Sequence, residues 1–366
     1  MPTKKQTEAA IERISQLRAS MKKHDVDALI ISDLSSQRYL TGFSGSTALT
    51  IVTRKGIFFL TNDLYAVQVE QELYDLPGLK VVIDRDPWQV IRSKQVNLQS
   101  SSIGYDSTKT SVASLKVIKS AVKPTKLVEV PNLVVPITMV KTKSEIKEIA
   151  RASEIVSRAY EHMLGVVKEG MTERQIANYL ANETRQLGSD RDAFDIIVVS
   201  GKRSAMPHGR ATDNKIKNGD VVTVDFGCCV NGFYSDMTRT FCVGTPKKEV
   251  VDVFAVLYDA HMSALDSAVA GITARQLDAS ARSVIERAGY GEYFRHSLGH
   301  GLGYEVHESP AVSRLNDSPL PENCVVTIEP GIYLPGKFGM RIEDDVVIGK
   351  SGPTILTSAP RELVVI

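Results

Sequence analysis

Two aspartates flank a predicted hairpin near the middle of the chain. Asn231 and Gly232 form the strongest short signal for a two-residue hairpin loop, because a type I′ turn needs positive φ at both central positions. That loop fixes the register and makes Asp225 and Asp236 diagonal neighbours on one face, about 7 Å apart at the backbone. The neighbouring residues are apolar, so two ionised carboxylates would be buried there at a large desolvation cost. A bound metal ion would resolve this conflict.

The C-terminal third of the chain repeats the arrangement with glutamates. Glu329 ends one apolar strand-like run, and Glu343 lies in the next one. Between the two acidic pairs, a glycine-rich stretch brings the backbone close around His300. Two aspartates, two glutamates and one histidine are mostly hard oxygen ligands, which suit a pair of divalent ions such as Mn²⁺. A dinuclear site of this kind can hydrolyse an amide with an activated bridging water.

Other ionisable residues have simpler interpretations. Asp344 and Asp345 are expected to be solvated caps at a strand end, and His24, His162 and His261 to be hydrogen-bonded core residues. The five predicted ligands differ from these. A purely structural account would require five ionisable groups without partners in apolar strands or glycine-rich turns.

The composition is that of an ordinary globular chain. It has 366 residues, of which 43% are hydrophobic and 24% are charged, with a net charge of +1. This balance does not indicate binding to nucleic acid or to a membrane surface. No stretch reaches the roughly 18 apolar residues of a membrane span. The polar N-terminus is unlike a signal peptide, and the four cysteines show no framework spacing. We therefore expect a cytoplasmic protein.

The length favours two domains. Residues 1–130 alternate helical and strand-like runs, as a small α/β domain does, and the domain boundary is expected near residue 136. The first of the helical runs extends from Ile11 to Lys22. A segment with two prolines and no clear period follows, and a long helical pattern begins just after it. The second domain is therefore expected at 137–366.

The second domain contains two similar six-residue segments, which indicate an internal repeat. GMTERQ and GITARQ each follow one helical stretch and open another. Thr172 with Gln175, and Thr273 with Gln276, fit the capping box that starts a helix. Each copy is followed by β-rich sequence. The pattern predicts a duplicated helix–helix–strand–strand unit.

Several motifs occur together in an order typical of one family. They are RYLTGFSGS (38–46), VSGKRSAMPHG (199–209), VDFG…GFYSDMTRT (224–240), HSLGHGLGYEVHESP (296–310), TIEPGIY (327–333) and MRIEDD (340–345). With these motifs, which span essentially the whole chain, the protein resembles the pita-bread metallopeptidases of the prolidase and aminopeptidase P branch. The resemblance implies an α+β pita-bread catalytic domain with a pseudo-twofold repeat at 137–366. It also implies a creatinase/prolidase-like α/β domain at 1–136.

The resemblance implies a role for each acidic residue of the motifs. Asp225 and Asp236 would bind one metal ion. Asp236 would also bridge to a second ion, together with Glu343. His300 and Glu329 would help to bind that second ion. Two divalent ions per chain are implied, with Mn²⁺ foremost and Co²⁺ or Zn²⁺ as alternatives.

Further roles concern the substrate. His208 would lie near the scissile region, and His307 would contact the substrate carbonyl and steady the tetrahedral intermediate. Glu329 would also act as general acid and base for the bridging water. Arg341 would support the site and meet the substrate, and Arg239 would orient the bridging aspartate.

The implied reaction is hydrolysis of the bond between an N-terminal residue and proline. GFSGS and the short N-terminal domain favour an Xaa-Pro aminopeptidase, while a prolidase restricted to Xaa-Pro dipeptides shares the ligand motifs and is the alternative. The additional N-terminal domain disfavours a methionine aminopeptidase. A non-catalytic binding relative of the fold is the rival from another class, and the complete ligand set argues against it. The expected partners are a proline-containing peptide and a second copy of the chain, without nucleic acid or membrane.

Overall fold

The computed structural model describes residues 2–96, 98, 100–123 and 125–366. The chain divides into two units, Met1–Ile137 and Thr138–Ile366. Each unit has its own β-sheets and its own buried apolar residues.

The N-terminal unit is built on one mixed six-stranded sheet in the order β4-β3-β2-β1-β5-β6. Its strands are β1 (Ala28–Ile31), β2 (Leu49–Thr53), β3 (Ile57–Thr61), β4 (Leu79–Ile83), β5 (Ser102–Tyr105) and β6 (Lys126–Glu129). Its helices are α1 (Lys4–Lys23), α2 (Leu34–Thr41), α3 (Ala66–Glu72), α4 (Pro87–Arg92), α5 (Val112–Ala121) and α6 (Val135–Thr138), with a 3₁₀ turn at Asp63–Tyr65. This is the α/β character that the sequence predicts.

The helix predicted near the N-terminus is α1, which begins earlier than its apolar pattern. A capping box between Thr3 and Gln6 starts it. Ile14, Leu17 and Met21 are buried, as their helical spacing predicts, whereas Ile11 remains 38% exposed.

The second unit contains two sets of helices and strands. Its helices are α7 (Lys143–Leu164), α8 (Glu173–Gln186), α9 (Lys248–Ser267) and α10 (Ala274–Arg287), with 3₁₀ turns at Gly201–Ala205 and Gly291–Tyr293. Its strands are β7 (Arg191–Asp192), β8 (Ile197–Ser200), β9 (Val221–Phe226), β10 (Cys228–Val230), β11 (Phe233–Tyr234), β12 (Met237–Cys242), β13 (Gly299–Gly301), β14 (Glu308–Val312), β15 (Val325–Ile328), β16 (Gly331–Leu334), β17 (Phe338–Arg341), β18 (Asp344–Val347), β19 (Thr354–Ile355) and β20 (Val364–Val365). The two main sheets have the orders β20-β12-β9-β8 and β14-β13-β15-β18-β19, and β11-β10-β7 and β16-β17 are smaller sheets.

The predicted duplication is confirmed by matching backbone contacts in the two halves. Capping boxes begin α8 at Thr172 and α10 at Thr273. Just before each cap, a glycine amide donates to a carbonyl of the chain that runs towards the next strand. Gly170 N bonds to Ile216 O, and Gly271 N bonds to Leu320 O, both at 2.9 Å. The second unit is therefore a pseudo-twofold α+β pair of halves.

The predicted hairpin register is also confirmed. Asn231 and Gly232 have φ values of 52° and 84°, as a type I′ loop requires. Beyond a break at Gly227 the same register continues, and Asp225 faces Thr238 across β9 and β12. At the break a Cβ atom on Gly227 would lie 2.0 Å from the carbonyl oxygen of Ser235, so only glycine fits.

The paired capping boxes give a direct test of the fold. We expect Thr172→Ala to lower the free energy of unfolding by about 1 kcal/mol, because an early helix amide loses its acceptor. Urea unfolding of the variant measures this change. Thr172→Ser keeps the hydroxyl and serves as the control, and equal loss in both variants would contradict the capping role.

Candidate metal centre

The first acidic pair projects from the hairpin formed by β9 and β12. Asp225 and Asp236 are only 8% and 4% exposed. Among the described residues, neither Asp225 Oδ1 nor Asp236 Oδ1 has a hydrogen-bond partner, although both atoms are buried. Two buried carboxylate oxygens thus lack a compensating donor.

The second acidic pair comes from the matching hairpin of the other half. The ladders β15–β18 and β16–β17 share one register, which places Glu329 and Glu343 opposite each other at the break between them. Glu343 is 2% exposed. Glu329 is anchored by its backbone amide, which donates to Leu298 O at 2.8 Å. The duplicated fold therefore brings one carboxylate pair from each half to the same place.

His300 completes the cluster from β13, the neighbour of β15. Its Nε2 lies 3.3 Å from Glu329 Oε1 and 3.8 Å from Asp236 Oδ2. On the other side of the ring, Nδ1 lies 3.1 Å from Gly301 O. A protonated Nδ1 donating to that carbonyl leaves the Nε2 lone pair facing the carboxylates, which is the tautomer a metal ligand needs.

All five predicted ligands meet in one cluster. Two overlapping groups, Asp225–Asp236–Glu343 and His300–Glu329–Glu343, each have ligand atoms within 4.8 Å of one another. Glu343 belongs to both groups. A further group joins Asp236, His300 and His307.

The electrostatics of the cluster show why a cation fits it. Burial raises the pKa of Asp236 well above its usual value, and the charge of Glu343 adds to this effect. Burial and the charge of Glu329 likewise raise the pKa of Glu343. Burial raises the pKa of Glu329 to about 7. The carboxylates repel one another and include oxygens without donors, so their donor set fits divalent ions.

Neighbouring side chains hold the other carboxylate oxygens. Arg341 donates to Asp225 Oδ2 at 2.5 Å, to Thr238 Oγ1 at 2.9 Å and to the Tyr333 hydroxyl at 2.6 Å. Thr238 in turn donates to Glu343 Oε2 at 2.6 Å. These contacts orient the acids while leaving their remaining oxygens directed into the cluster.

Arg239 was expected to orient Asp236, but in the structure it contacts other residues. Its guanidinium donates to Glu343 O at 2.5 Å and to Asp344 Oδ1 at 2.7 Å. The backbone amide of Asp236 instead donates to Asp345 Oδ2 at 3.2 Å. Positions 236 and 239 lie an odd number of residues apart along the strand, so their side chains point to opposite faces.

The interpretation of Asp344 and Asp345 as solvated caps is wrong. Both are 0% exposed, because side chains from other elements of the second unit cover them. Asp344 accepts from Arg239, Arg361 and His261, with His261 Nε2 at 2.8 Å. Asp345 accepts from Ser153 Oγ at 2.8 Å. Tertiary contacts, not sequence polarity, decide their burial.

The three histidines expected in the core have different fates. His261 is fully buried and hydrogen-bonded, as predicted. His24 is exposed, and the side chain of His162 is 48% exposed and pairs with Glu183. The core prediction is wrong for these two residues, because each lies near the C-terminal end of a helix, where the chain turns at the surface.

The histidines expected to face the substrate lie at the exposed side of the cluster. The centroids of the His307 and His300 rings are 4.3 Å apart. His208 is exposed and follows Pro207, whose carbonyl accepts from Arg341 at 3.4 Å. Burial, with smaller contributions from the charges of His300 and His208, lowers the pKa of His307.

Sequence reasoning missed two residues beside the cluster. His296 Nε2 lies 3.2 Å from the Tyr333 hydroxyl, which accepts from Arg341. Burial lowers the pKa of His296 to about 3, so its ring is neutral. Both residues lie inside family motifs, HSLGH and PGIY, and their membership in those motifs was the signal that could have found them.

The fold and the site define a metallopeptidase of the pita-bread type. Residues 147–350 match metallopeptidase family M24, and residues 13–140 match the creatinase/prolidase N-terminal domain. The chain therefore belongs to family M24. Among the described residues, no helix combines the length and the apolar character that crossing a membrane requires.

Relatives match over nearly the full length of both chains. An Xaa-Pro dipeptidase of Pyrococcus horikoshii is 34% identical over 96% of this chain and 99% of its own. The structure of an Xaa-Pro dipeptidase from Bacillus anthracis is 34% identical, with a TM-score of 0.94 over 98% of this chain and 100% of its own. The structure of an X-Pro aminopeptidase from Thermotoga maritima is 40% identical, with a TM-score of 0.88 over 95% and 100%.

Two buried aspartates should respond oppositely to neutralisation. Asp236→Asn removes a repelled charge, so the unfolding temperature of the chelator-treated protein should stay equal or rise, while bound metal falls. Asp344→Asn breaks a paired network and should cost about 3–5 kcal/mol of stability. Calorimetry and elemental analysis measure both effects. Equal destabilisation by the two changes, or an undiminished metal content in Asp236→Asn, would contradict the different roles assigned to the two residues.

Proposed function

We propose that this protein is a metal-dependent Xaa-Pro dipeptidase. The observation that carries the proposal is the convergence of five donors from the two halves of a family M24 domain. The proposed metal ligands are Asp225, Asp236, His300, Glu329 and Glu343. The full-length similarity to proteins named Xaa-Pro dipeptidase and prolidase supports this substrate class.

The donor set suits two divalent ions per chain, with Mn²⁺ foremost and Co²⁺ or Zn²⁺ as alternatives. When bound, such ions supply Lewis-acid polarisation of the scissile carbonyl and a nucleophilic water at neutral pH. Asp236, His300 and Glu343 each belong to two donor groups. Of these, only the two carboxylates have two oxygens with which to bind, so Asp236 and Glu343 are the residues proposed to be shared by the two ions.

Residues around the ions complete the reaction. The exposed imidazole of His307 donates its N–H to the substrate carbonyl oxygen as negative charge develops there. Glu329, held by Thr327 Oγ1 at 3.1 Å, takes a proton from the attacking water and returns it to the leaving nitrogen. Arg341 keeps Asp225 in place, and His208 lies at the exposed edge where the scissile region binds.

The choice between dipeptidase and aminopeptidase differs from the sequence expectation. GFSGS and the short N-terminal domain favoured an aminopeptidase, but proteins named dipeptidase or prolidase share this architecture over 94% or more of this chain. Both enzymes cleave a tertiary amide without an N–H group, so both must recognise the proline ring by shape. They differ in whether the substrate may continue beyond proline.

The proposal extends to the domains, the oligomeric state, the location and the partners of the enzyme. We propose residues 137–366 as the catalytic domain, 1–136 as the N-terminal domain, and a homodimer as the working form. All four cysteines are free and buried, which supports a reducing, cytoplasmic location. The net charge of +1 supports a peptide partner rather than a nucleic acid.

Substrate length tests the proposed activity. We expect the Mn²⁺-loaded protein to hydrolyse an Xaa-Pro dipeptide with a kcat/KM at least about tenfold above that of the Xaa-Pro-Yaa tripeptide, or about 1.4 kcal/mol in barrier. Chelation should abolish turnover, and Mn²⁺ should restore it. The reverse preference would establish the aminopeptidase alternative, and turnover of neither peptide would refute the proposal.

His307 provides a test of mechanism. His307→Ala should lower kcat roughly 10²–10³-fold, because an oxyanion donor is lost, while the metal content stays unchanged. The surface variant His162→Ala is the control and should turn over normally. Steady-state kinetics and elemental analysis decide the matter. Normal turnover by His307→Ala with full metal would assign His307 a purely structural role.

A further inference from the structure

A buried ion pair lies outside the proposed ligand set. Lys141 Nζ is 2.5 Å from Glu308 Oε1, and their side chains are only 1% and 8% exposed. Lys141 immediately precedes Thr142, the N-cap of α7. Glu308 immediately follows His307, the proposed oxyanion donor. The pair thus ties the beginning of the catalytic unit to the loop that carries a reactive histidine.

The ammonium group of Lys141 is fully used. Besides Glu308, it donates to Thr138 O at 2.6 Å and to Met139 O at 3.4 Å. A lysine ammonium has three donors, and each of these has an acceptor. Its burial is therefore compensated, and its position is fixed by three groups at once.

The carboxylate of Glu308 organises the loop before it. While Oε1 faces Lys141, Oε2 accepts from the amides of Tyr304 at 3.0 Å and Glu305 at 3.3 Å. Two consecutive amides thereby converge on one oxygen and close residues 304–308 into a turn. Because His307 is exposed, the position of its ring depends on the backbone of that turn.

The stem of Lys141 also packs against the glycine-rich stretch. A Cβ atom on Gly303 would lie 2.3 Å from Lys141 Cε, so the lysine occupies the space that any larger residue would need. Gly303 O accepts from Tyr234 N at 2.9 Å, which connects the same stretch to the hairpin of the other half. Lys141 thus supports the loop by both charge and packing.

We propose that Lys141, acting through Glu308, is a positioning residue for His307. The pair keeps the turn closed, so that the His307 ring stays beside His300 at the place where the substrate carbonyl binds. This inference rests on the proposed function, since the role of His307 comes from it. The ammonium group of Lys141 bonds to Glu308, Thr138 O and Met139 O and not to a proposed metal ligand, so Lys141 acts through the loop.

Charge removal at Lys141 should weaken catalysis without releasing metal. We expect Lys141→Met to lower kcat by about 10²-fold, the loss that a misplacement of about 1 Å can cause, with a smaller change in KM. Metal content should equal that of the wild type. The control is Lys248→Met, which removes an exposed lysine paired with Asp252 and should retain wild-type kinetics.

A double-mutant cycle separates positioning from general destabilisation. If Lys141 acts through His307, adding Lys141→Met to His307→Ala should cause no further loss of kcat. Additive losses would overturn the inference while leaving the proposed function intact. Normal kcat in His307→Ala alone would also overturn the inference, because His307 would then have no catalytic role to support. Failure of the proposed function is a different result, turnover of neither peptide by the wild-type protein, so the two failures are distinguishable.

Lys141→Met leaves the buried Glu308 carboxylate without its partner and can destabilise the protein. Two further measurements avoid this problem. Gly303→Ala keeps both charges and displaces the Lys141 stem, so it should reproduce the kcat loss. The chain has seven histidines, and the ring signals that disappear from the NMR spectrum of His307→Ala are assigned to His307. These His307 signals should shift in the spectrum of Gly303→Ala. Unshifted His307 signals, or wild-type kcat in folded Gly303→Ala, would overturn the positioning role.

Discussion

Repulsion among buried carboxylates is the constraint on which the catalytic unit depends. Asp225, Asp236, Glu329 and Glu343 converge from two hairpins with little access to water, and burial raises the pKa of three of them. These carboxylates would move apart or take up protons unless the surrounding structure held them in place and a cation balanced their charge. Antiparallel strands provide the rigid support, because their ladders fix each Cα position.

Three of the four acids are also held by a side-chain donor from outside the ligand set. Arg341 binds Asp225, Thr238 binds Glu343, and Thr327 binds Glu329. At Asp225 and Glu343 the bond uses one carboxylate oxygen and leaves the other free to coordinate. Residues that surround metal ligands commonly work in this way, by fixing orientation and basicity. The acids are therefore preorganised before any ion arrives.

Charged groups outside the proposed ligand set extend this support. Arg239 binds the backbone of Glu343 and the carboxylate of Asp344, which links β12 to β18. The Lys141–Glu308 pair similarly links the start of α7 to the His307 loop. Both pairs are buried and have several hydrogen bonds, so losing one partner would strand a charge. The fold thus uses buried ion pairs to locate functional backbone segments.

Local patterns were sufficient for much of the fold and the candidate site. The type I′ loop set the register that pairs Asp225 with Thr238, and the capping boxes revealed the duplication. The four acidic ligands could be selected because acids in apolar strands are unusual, and His300 because a glycine-rich stretch surrounds it. His296 and Tyr333 were missed, since a histidine and a tyrosine in such motifs have many structural uses.

Turn type, helix starts, strand register and the unusual placement of acids depend on residues that are close together in the chain, so they could be predicted from local sequence. Only the tertiary structure decided what depends on distant contacts. It showed that Asp344 is buried, because Arg239, His261 and Arg361 pack against its carboxylate. It also joined Lys141 to Glu308 across 167 positions. Pairings of this kind are set by how the two halves pack, and no local pattern along the chain encodes them.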